Sequence, residues 1–302
     1  MAFVQADVNY AVQYAQELAN AYPYLSHFGA IYGAANSSKY RPIMGKTVAI
    51  PSMTVSGAVA ANRDAINGSF SRNWNNEWQT VSCQQDREWS TLIDPLDIVE
   101  TNSVATIANV TKSFNEQMKI PEMDAFCAAT LGSAAITANN KDTTELTAAN
   151  ILGKWDEYLA TMTNARVNRD RLIAYMTPAV YKLLKEAAGI TRFIDAGTGI
   201  RNIDRNVGKL DGVTIVEVPA DLMRTSYDFD EGWAVASGAG QINILFVDPD
   251  AVAAPVVYDT AMIGAPTAQS KGKYLYYERF YYGVFVLSKR TAGLYVNYTA
   301  NP

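Results

Sequence analysis

DREWSTLIDPLDIVETNSVATIANVTKSFNEQMKIPEMDAFCAATLGSAA, residues 86–135, runs from a β-prone segment through an acidic turn into a long amphipathic helical pattern. REWSTLID reads as a strand. Asp94, Asp97 and Glu100 lead to Thr101, Asn102 and Ser103, which are N-cap candidates with negative charge ahead of the first turn. Val104, Ile107, Val110, Phe114 and Met118 then fall on one helical face. Pro121 interrupts that face, and Pro-Glu-Met-Asp is itself a helix start. Met123, Phe126, Cys127, Leu131 and Ala134 continue the apolar stripe. The spacing predicts one kinked rod of roughly 45 Å, or two helices meeting at a corner. Nothing in the stretch is arranged for chemistry.

On its N-terminal side, NEWQTVSC and REWSTLID read as two strands joined by Gln84, Gln85 and Asp86, a connection of hairpin length. A two-stranded ribbon of that kind is not stable by itself in water. Trp74, Trp78 and Trp89 are placed on it, three of the five tryptophans. Two readings stay open: a sheet edge folded onto its own core, or a projecting ribbon whose aromatics a neighbouring subunit covers. TVAIPSMTV before it is β-prone, and Pro51 assigns it to an edge strand. AVAANRDAI predicts a short helical turn. The first forty residues read as an arm. Val8, Val12, Ala15 and Leu18 give a short amphipathic helix that stops at Tyr22 and Pro23, and the Gly, Ser and Asn after them predict an extended segment.

Beyond the polar stretch 139–144, helices and strands alternate. ELTAANILGKWDEYLATMTNA is a helix capped by Thr143 or Thr144, RLIAYMT a buried strand, and Pro178 opens a helix that Gly189 closes. VGKLDGVTIVEVPA holds a short strand after Asp211 and Gly212, and INILFVDPD is another strand. The C-terminus is all β, with Tyr277, Arg279 and Tyr281 alternating against Glu278, Phe280 and Tyr282.

Composition sets the class. The chain has 302 residues, 49% hydrophobic and 18% charged, which excludes wholesale disorder. A net charge of −5 leaves no global basic footprint for gripping nucleic acid. The N-terminal MAFVQADVNYAVQYAQEL lacks the features of a secretion signal, and no window is long and apolar enough to span a bilayer. Cys83 and Cys127 stand far apart without CxxC spacing, as expected for reduced thiols in a cytoplasm.

Catalytic patterns are weak. The single histidine, His27, lies in the arm, which removes the usual Ser-His-Asp, Cys-His and His-rich metal arrangements. Asp94, Asp97 and Glu100 match no EF-hand spacing, and the helix start already accounts for them. Asp228, Asp230 and Glu231 read as a solvated loop. AGTGIRN at 196–202 lacks a phosphate-loop ending. Lys182 and Lys185 read as an exposed helix face. No catalytic residue, cofactor or metal is therefore expected. An enzyme using Asp228 and Asp230 is the alternative from another functional class.

Four strings, taken in order, carry a resemblance: NEWQTVSCQQDREWSTLIDPLDIVETN, KSFNEQMKIPEMDAF, INILFVDPDAVAAPVVYDTAMI and YYERFYYGVFVLSKRTAGLYVNY. With the arm before them, this order resembles the major capsid proteins of tailed bacteriophages, those of phages of Gram-positive hosts in particular. The resemblance implies an α+β, HK97-type capsid fold. Its parts would be an N-terminal arm over 1–40, an extended β-hairpin E-loop over 41–100, and a long spine helix of the P-domain over 101–150. An A-domain over 151–269 and P-domain C-terminal strands over 270–302 would complete it. It implies a homo-oligomer of pentamers and hexamers forming an icosahedral shell, which encloses double-stranded DNA without sequence-specific contacts and without a membrane. Scaffold, portal and decoration proteins would be separate partners. Because the arm begins almost at Met1, any scaffolding would come from such a partner. The place implied is the virion, assembled in the cytoplasm of a bacterial host. Trp74, Trp78, Arg87, Trp89, Tyr22 and Phe28 are the expected subunit-interface residues. An encapsulin-like compartment is the alternative within the same fold. No lysine–asparagine crosslink is assigned, although Lys46 and several asparagines are present.

Overall fold

Residues 107–137 form one helix: α-helical over Ile107–Phe114, π-helical over Asn115–Lys119 and α-helical again over Ile120–Thr137. The structure is a computed structural model that describes residues 25–34, 41–44, 47–58, 72–100, 106–187, 194–195, 202–203 and 207–301. The Thr106 hydroxyl caps the helix, accepting the Asn109 N–H at 3.3 Å. Neither a corner nor a break occurs at Pro121. The Ile120 N–H donates to the Asn115 carbonyl five residues back, and the junction residues Phe114, Lys119 and Ile120 keep right-handed helical angles. Proline brings no N–H, and in a regular helix its ring meets the carbonyl four residues earlier. A widened turn just ahead of it relieves that contact and lets the rod continue. Asp94 caps a separate short helix, Pro95–Glu100, by accepting the Leu96 N–H at 3.0 Å. The expected caps Thr101, Asn102 and Ser103, with Val104, lie outside the described residues.

The 107–137 helix packs on one face of a six-stranded mixed sheet. Its strand order is Lys141–Asp142, Leu294–Thr299, Gln241–Val247, Ile173–Met176, Val213–Glu217 and Lys209–Leu210. The helices Ile151–Asn164 and Pro178–Glu186 cover the other face. Both faces are therefore dry, which explains why INILFV and IAYM are nearly continuous apolar runs. Leu245, Val247 and Tyr175 point toward the long helix, while Ile244, Phe246, Ala174 and Met176 point toward the helix pair. Asp211 and Gly212, at φ +50° and +90°, make the tight turn between the last two strands, where both positions need a left-handed backbone. The Ile151–Asn164 helix begins later than Thr143 or Thr144. Those threonines lie before a turn in which Asn150 and Thr147 bond each other, and Thr144 instead donates to Asp142 through its N–H at 2.9 Å and its hydroxyl at 2.7 Å. Gly189 lies outside the described residues.

A second, long antiparallel sheet contains Val256–Gly264, Tyr274–Tyr282 and Gln85–Ile93 in that order. Here the hairpin expected between NEWQTVSC and REWSTLID is overturned. Trp74–Ser82 pairs along its whole length with Thr47–Val55, whereas Gln85–Ile93 pairs with Tyr274–Tyr282. The chain passes from one sheet to the other at Cys83 and Gln84. None of Gln84, Gln85 and Asp86 is a glycine or asparagine, the residues that two-residue hairpin turns demand. The Gln84 amide instead bonds both the N–H and the carbonyl of Val284 at 3.2 Å. This contact needs Gly283, because a Cβ there would come within 2.8 Å of the Gln84 side-chain oxygen. Pro51 also departs from expectation, since its strand is the middle one of three. The third strand, Arg41–Met44, pairs only with residues 47–49, so the ladder on that side ends before Pro51 and no hydrogen bond is lost.

The arm is part of the core where it is described. Phe28 and Ile31 are fully buried, and Phe28 stacks on Tyr175 with ring centroids 4.2 Å apart. A single helical turn, Gly29–Tyr32, replaces the extended segment expected there. Buried Asp124 on the long helix accepts the Ser26 hydroxyl at 2.9 Å and the His27 N–H at 2.7 Å, and the Tyr32 hydroxyl donates to the Met123 carbonyl at 2.8 Å. The helix expected over Val8–Leu18, Tyr22, Lys46, most of AVAANRDAI and all of AGTGIRN but Asn202 lie outside the described residues.

Candidate assembly surface

Residues 47–55 and 74–82 form a nine-pair ribbon in unbroken register, Thr47 opposite Ser82 and Val55 opposite Trp74. Residues directly opposite share a face. One face of the ribbon is held by its own chain. Ile50 and Val81 pack with Phe285 and Cys83, the Lys289 amine donates to the Thr54 hydroxyl at 2.9 Å, and the Ser288 N–H reaches Gln79 at 3.4 Å. The other face carries Met53, Val55, Trp74 and Trp78, which are 63%, 70%, 49% and 47% exposed. Apolar side chains thus sit on the face turned away from the body, opposite to what a self-contained sheet edge does. Arg72 covers the Trp74 ring at 5.3 Å, the only cation–π cover of this face among the described residues.

The long sheet is sided in the same way. Tyr276, Glu278, Phe280 and Tyr282 point at the 107–137 helix and are buried. The opposite face is open, with exposed Leu92, Leu275 and Met262 at one end. A polar ladder occupies the other end, where Arg279 grips both oxygens of Asp86 at 3.1 and 3.0 Å and Tyr277 donates to Glu88 at 3.1 Å. Asp86 raises the guanidinium's affinity for its proton still further.

Of the expected interface residues, Trp74 and Trp78 share the exposed ribbon face. Trp89 does not. It lies in the long sheet, stacked on Phe114 with centroids 4.1 Å apart and tilted against Tyr276, so the subunit itself covers it. Phe28 is in the core, and Arg87 points inward. The Arg87 guanidinium pairs with Glu122 at 2.8 Å and donates to the carbonyls of Phe229 and Gly232, joining the long sheet, the helix and the 227–235 hairpin. Glu122 also accepts the Tyr282 hydroxyl at 3.1 Å. Burial pushes the Glu122 carboxyl up, with Arg87 opposing, and burial beside Glu122 pushes the Tyr282 phenol far up. One turn earlier Lys119 pairs with buried Glu278, which accepts the Tyr276 hydroxyl at 2.9 Å, while the Lys119 amine also sits 4.3 Å above the Phe280 ring. The polarity alternates: the helix offers Lys119 and then Glu122, the sheet Glu278 and then Arg87. A slip of the helix by one turn would oppose like charges. The alternation along 277–282 already puts Glu278 on the same side as Phe280 and Tyr282, though it does not name the partner.

Chemistry-bearing residues are dispersed. Among the described residues no three His, Cys, Asp or Glu side chains are grouped to hold a metal ion. Asp228, Asp230 and Glu231 are exposed on a turn, the Asp230 N–H bonding Asp228 at 3.1 Å. Lys182 pairs with Glu186 and Lys185 lies over Tyr181, as a helix surface does. Both cysteines are free and buried, and burial pushes the Cys127 thiol well up. No helix of the described residues is long and apolar enough to cross a membrane.

No family model and no curated protein matches the chain. Solved structures do, over nearly all of its length. The capsid of cyanophage P-SCSP1u superposes with a TM-score of 0.62 at 14% identity, covering 97% of this chain and 93% of that one. The mature capsid of bacteriophage PhiM1 gives 0.59 at 13% identity over 100% and 92%. The capsid of Ralstonia phage GP4 gives 0.58 at 12% identity over 100% and 98%. The chain has the phage-capsid fold. This is the HK97-type architecture its sequence implies, and the likeness extends from end to end. Among the described residues, the ribbon face and the open face of the long sheet both leave large apolar side chains exposed.

Proposed function

We propose that this chain is the major capsid protein of a tailed phage, a structural subunit whose copies assemble as pentamers and hexamers into an icosahedral shell around double-stranded DNA. The observation that carries the reading is the sidedness of the ribbon: its tryptophans face outward on a fold otherwise found in assembled capsids. Residues 47–82 act as the E-loop. The 107–137 helix and the long sheet act as the P-domain, and the six-stranded sheet with its two helices acts as the A-domain. Trp74 and Trp78, with Met53 and Val55, lie against the open sheet face of a neighbouring copy. Arg87, Trp89 and Phe28 stabilise the subunit internally. Scaffold, portal and decoration proteins would be separate chains, and assembly takes place in the host cytoplasm. The contact between copies is apolar and repeated, so modest interfaces add up to a stable shell.

Sedimentation and negative-stain electron microscopy of the purified protein test the proposal, with and without co-expression of the scaffold candidate from the same genome. Closed particles of uniform diameter are expected. A protein that stays monomeric at high concentration under both conditions overturns the reading.

A further inference from the structure

In a chain of net charge −5, one surface cleft is basic. It encloses about 360 Å³ between the 165–171 loop and the turns at 248–250 and 289–293, lined by Arg166, Arg171, Lys289 and Arg290 against Asp248 and Asp250. Asp250 is taken by Arg171, and Asp248 accepts the Asp250 N–H at 3.0 Å. Arg290 donates to the Asp250 carbonyl at 2.8 Å and Lys289 to Thr54, bonds that leave their charges in place. Four cations against two carboxylates leave the cleft with two positive charges in excess. Arg166 stands at its lip at φ +66°, a left-handed position that favours glycine.

A complementary feature lies on the same chain. The 228–231 turn presents Asp228, Asp230 and Glu231 to solvent, with no salt bridge to a basic side chain among the described residues. Turn and cleft are well separated on the subunit. The Gln241–Val247 strand is bridged to Arg224, at the root of the acidic hairpin, by Gln241, and it runs directly into Asp248 and Asp250, roughly 20 Å away. The long helix orders them identically. Glu122, midway along it, shares Arg87 with the carbonyls of Phe229 and Gly232, and beyond its C-terminal end Asn140 reaches the Thr291 carbonyl beside the cleft at 3.0 Å, roughly 25 Å further along.

Opposite charges this far apart do not meet within one copy. Between copies they make a head-to-tail contact, which closes into a ring when the rotation closes. We propose that the acidic 228–231 turn of one copy seats in the Arg166, Arg171, Lys289 and Arg290 cleft of a second copy. This rests on the reading of the chain as a shell subunit, and it adds a polar contact distinct from the apolar ribbon.

The test is a charge-reversal set in the full chain: Asp230→Lys with Glu231→Lys, Arg166→Glu with Arg290→Glu, and all four together, assayed for particles at low and high salt. Each double variant is expected to lower particle yield by about tenfold or more at low salt, and the fourfold variant to recover it. Circular dichroism of the unassembled variants separates misfolding from lost contact. As a second measurement, copies carrying Asp230→Cys are mixed with copies carrying Arg166→Cys, and a mixed disulfide dimer is expected under oxidation. Wild-type particles alongside unimpaired assembly of both double variants, or no mixed dimer within intact particles, overturn this inference and leave the shell reading standing. Normal assembly with loss of bound DNA only in the arginine variants also overturns it, assigning the cleft to nucleic acid. Absence of wild-type particles overturns the shell reading itself, and this inference with it.

Discussion

Two carboxylates of this subunit respond to pH with opposite signs. Asp142 is partly desolvated, which by itself would raise its pKa. Hydrogen bonds from Thr144 and from Tyr158 at 2.7 Å, with Lys154 at 3.3 Å, outweigh that and hold the group well below the ordinary value of 3.8. A depressed pKa in the folded state contributes stability above the unfolded value, and that contribution is lost as pH falls toward the folded one. Glu122 is shifted upward, burial outweighing Arg87 and Tyr282. Its contribution is complete below the unfolded value of 4.5 and declines as pH rises through the folded one. Urea denaturation of unassembled subunits between pH 3 and pH 8 checks both signs. The deficit of Asp142→Asn relative to wild type should be largest near neutrality and shrink below about pH 4. The gap between wild type and Glu122→Gln should move against wild type as pH rises. At pH 7, Glu122→Ala should cost on the order of 3 kcal/mol, because it leaves the inward-facing Arg87 charge unpaired.

At the scale of elements, the π-turn and Pro121 belong together. Inserting one residue into a regular helix would turn everything before it by about 100° and carry Phe114 away from Trp89. The wide turn at Asn115–Lys119 absorbs that residue, keeping the Trp89–Phe114 stack and the Arg87–Glu122 pair on one side of the rod. It also frees the Pro121 ring. Deleting exposed Met118 should restore a regular α-helix with both contacts in place, but should cost about 3 kcal/mol as the proline clash returns. Deleting Met118 together with Pro121→Ala should recover most of that loss, a non-additivity readable from thermal melts of the three variants. Additive losses would mean that the turn and the proline are unrelated. The apolar stripe of this helix is legible in the sequence because its period is local. The strand partners were not, since nine residues at 47–55 and nine at 274–282 compete for two neighbouring strands over distances that no local pattern reports. The Gln84-Gln85 connection still held a clue, as it lacks a residue suited to the turn a hairpin requires. Lys119, Glu122 and Glu278 were illegible as buried pairs for a related reason. A charge is recognisable as buried only once its partner is placed, and each partner comes from a different sheet or helix.

For the whole molecule, the proposed ribbon and cleft contacts would be separated by salt. Burying the exposed half of one tryptophan, on the order of 100 Å², is worth roughly 2.5 kcal/mol. The free subunit loses little when such a side chain is truncated, since surface changes stay within about 0.5 kcal/mol. Trp78→Ala should therefore melt within a few degrees of wild type as a monomer, yet raise the protein concentration needed for particle formation by about tenfold or more. In the proposed shell each copy would both offer a ribbon and receive one, so the loss would be incurred at every contact and amplified there. Added salt should not rescue or worsen it, since an apolar contact has no screened charge to lose. The charge-reversed cleft should behave otherwise, with its defect shrinking as salt rises. Light scattering across a salt series for Trp78→Ala and for Arg166→Glu with Arg290→Glu resolves the two. Equal loss of monomer stability and assembly in Trp78→Ala would instead make the ribbon an ordinary sheet edge packed on its own body, and the outward-facing tryptophans would then have no partner to explain them.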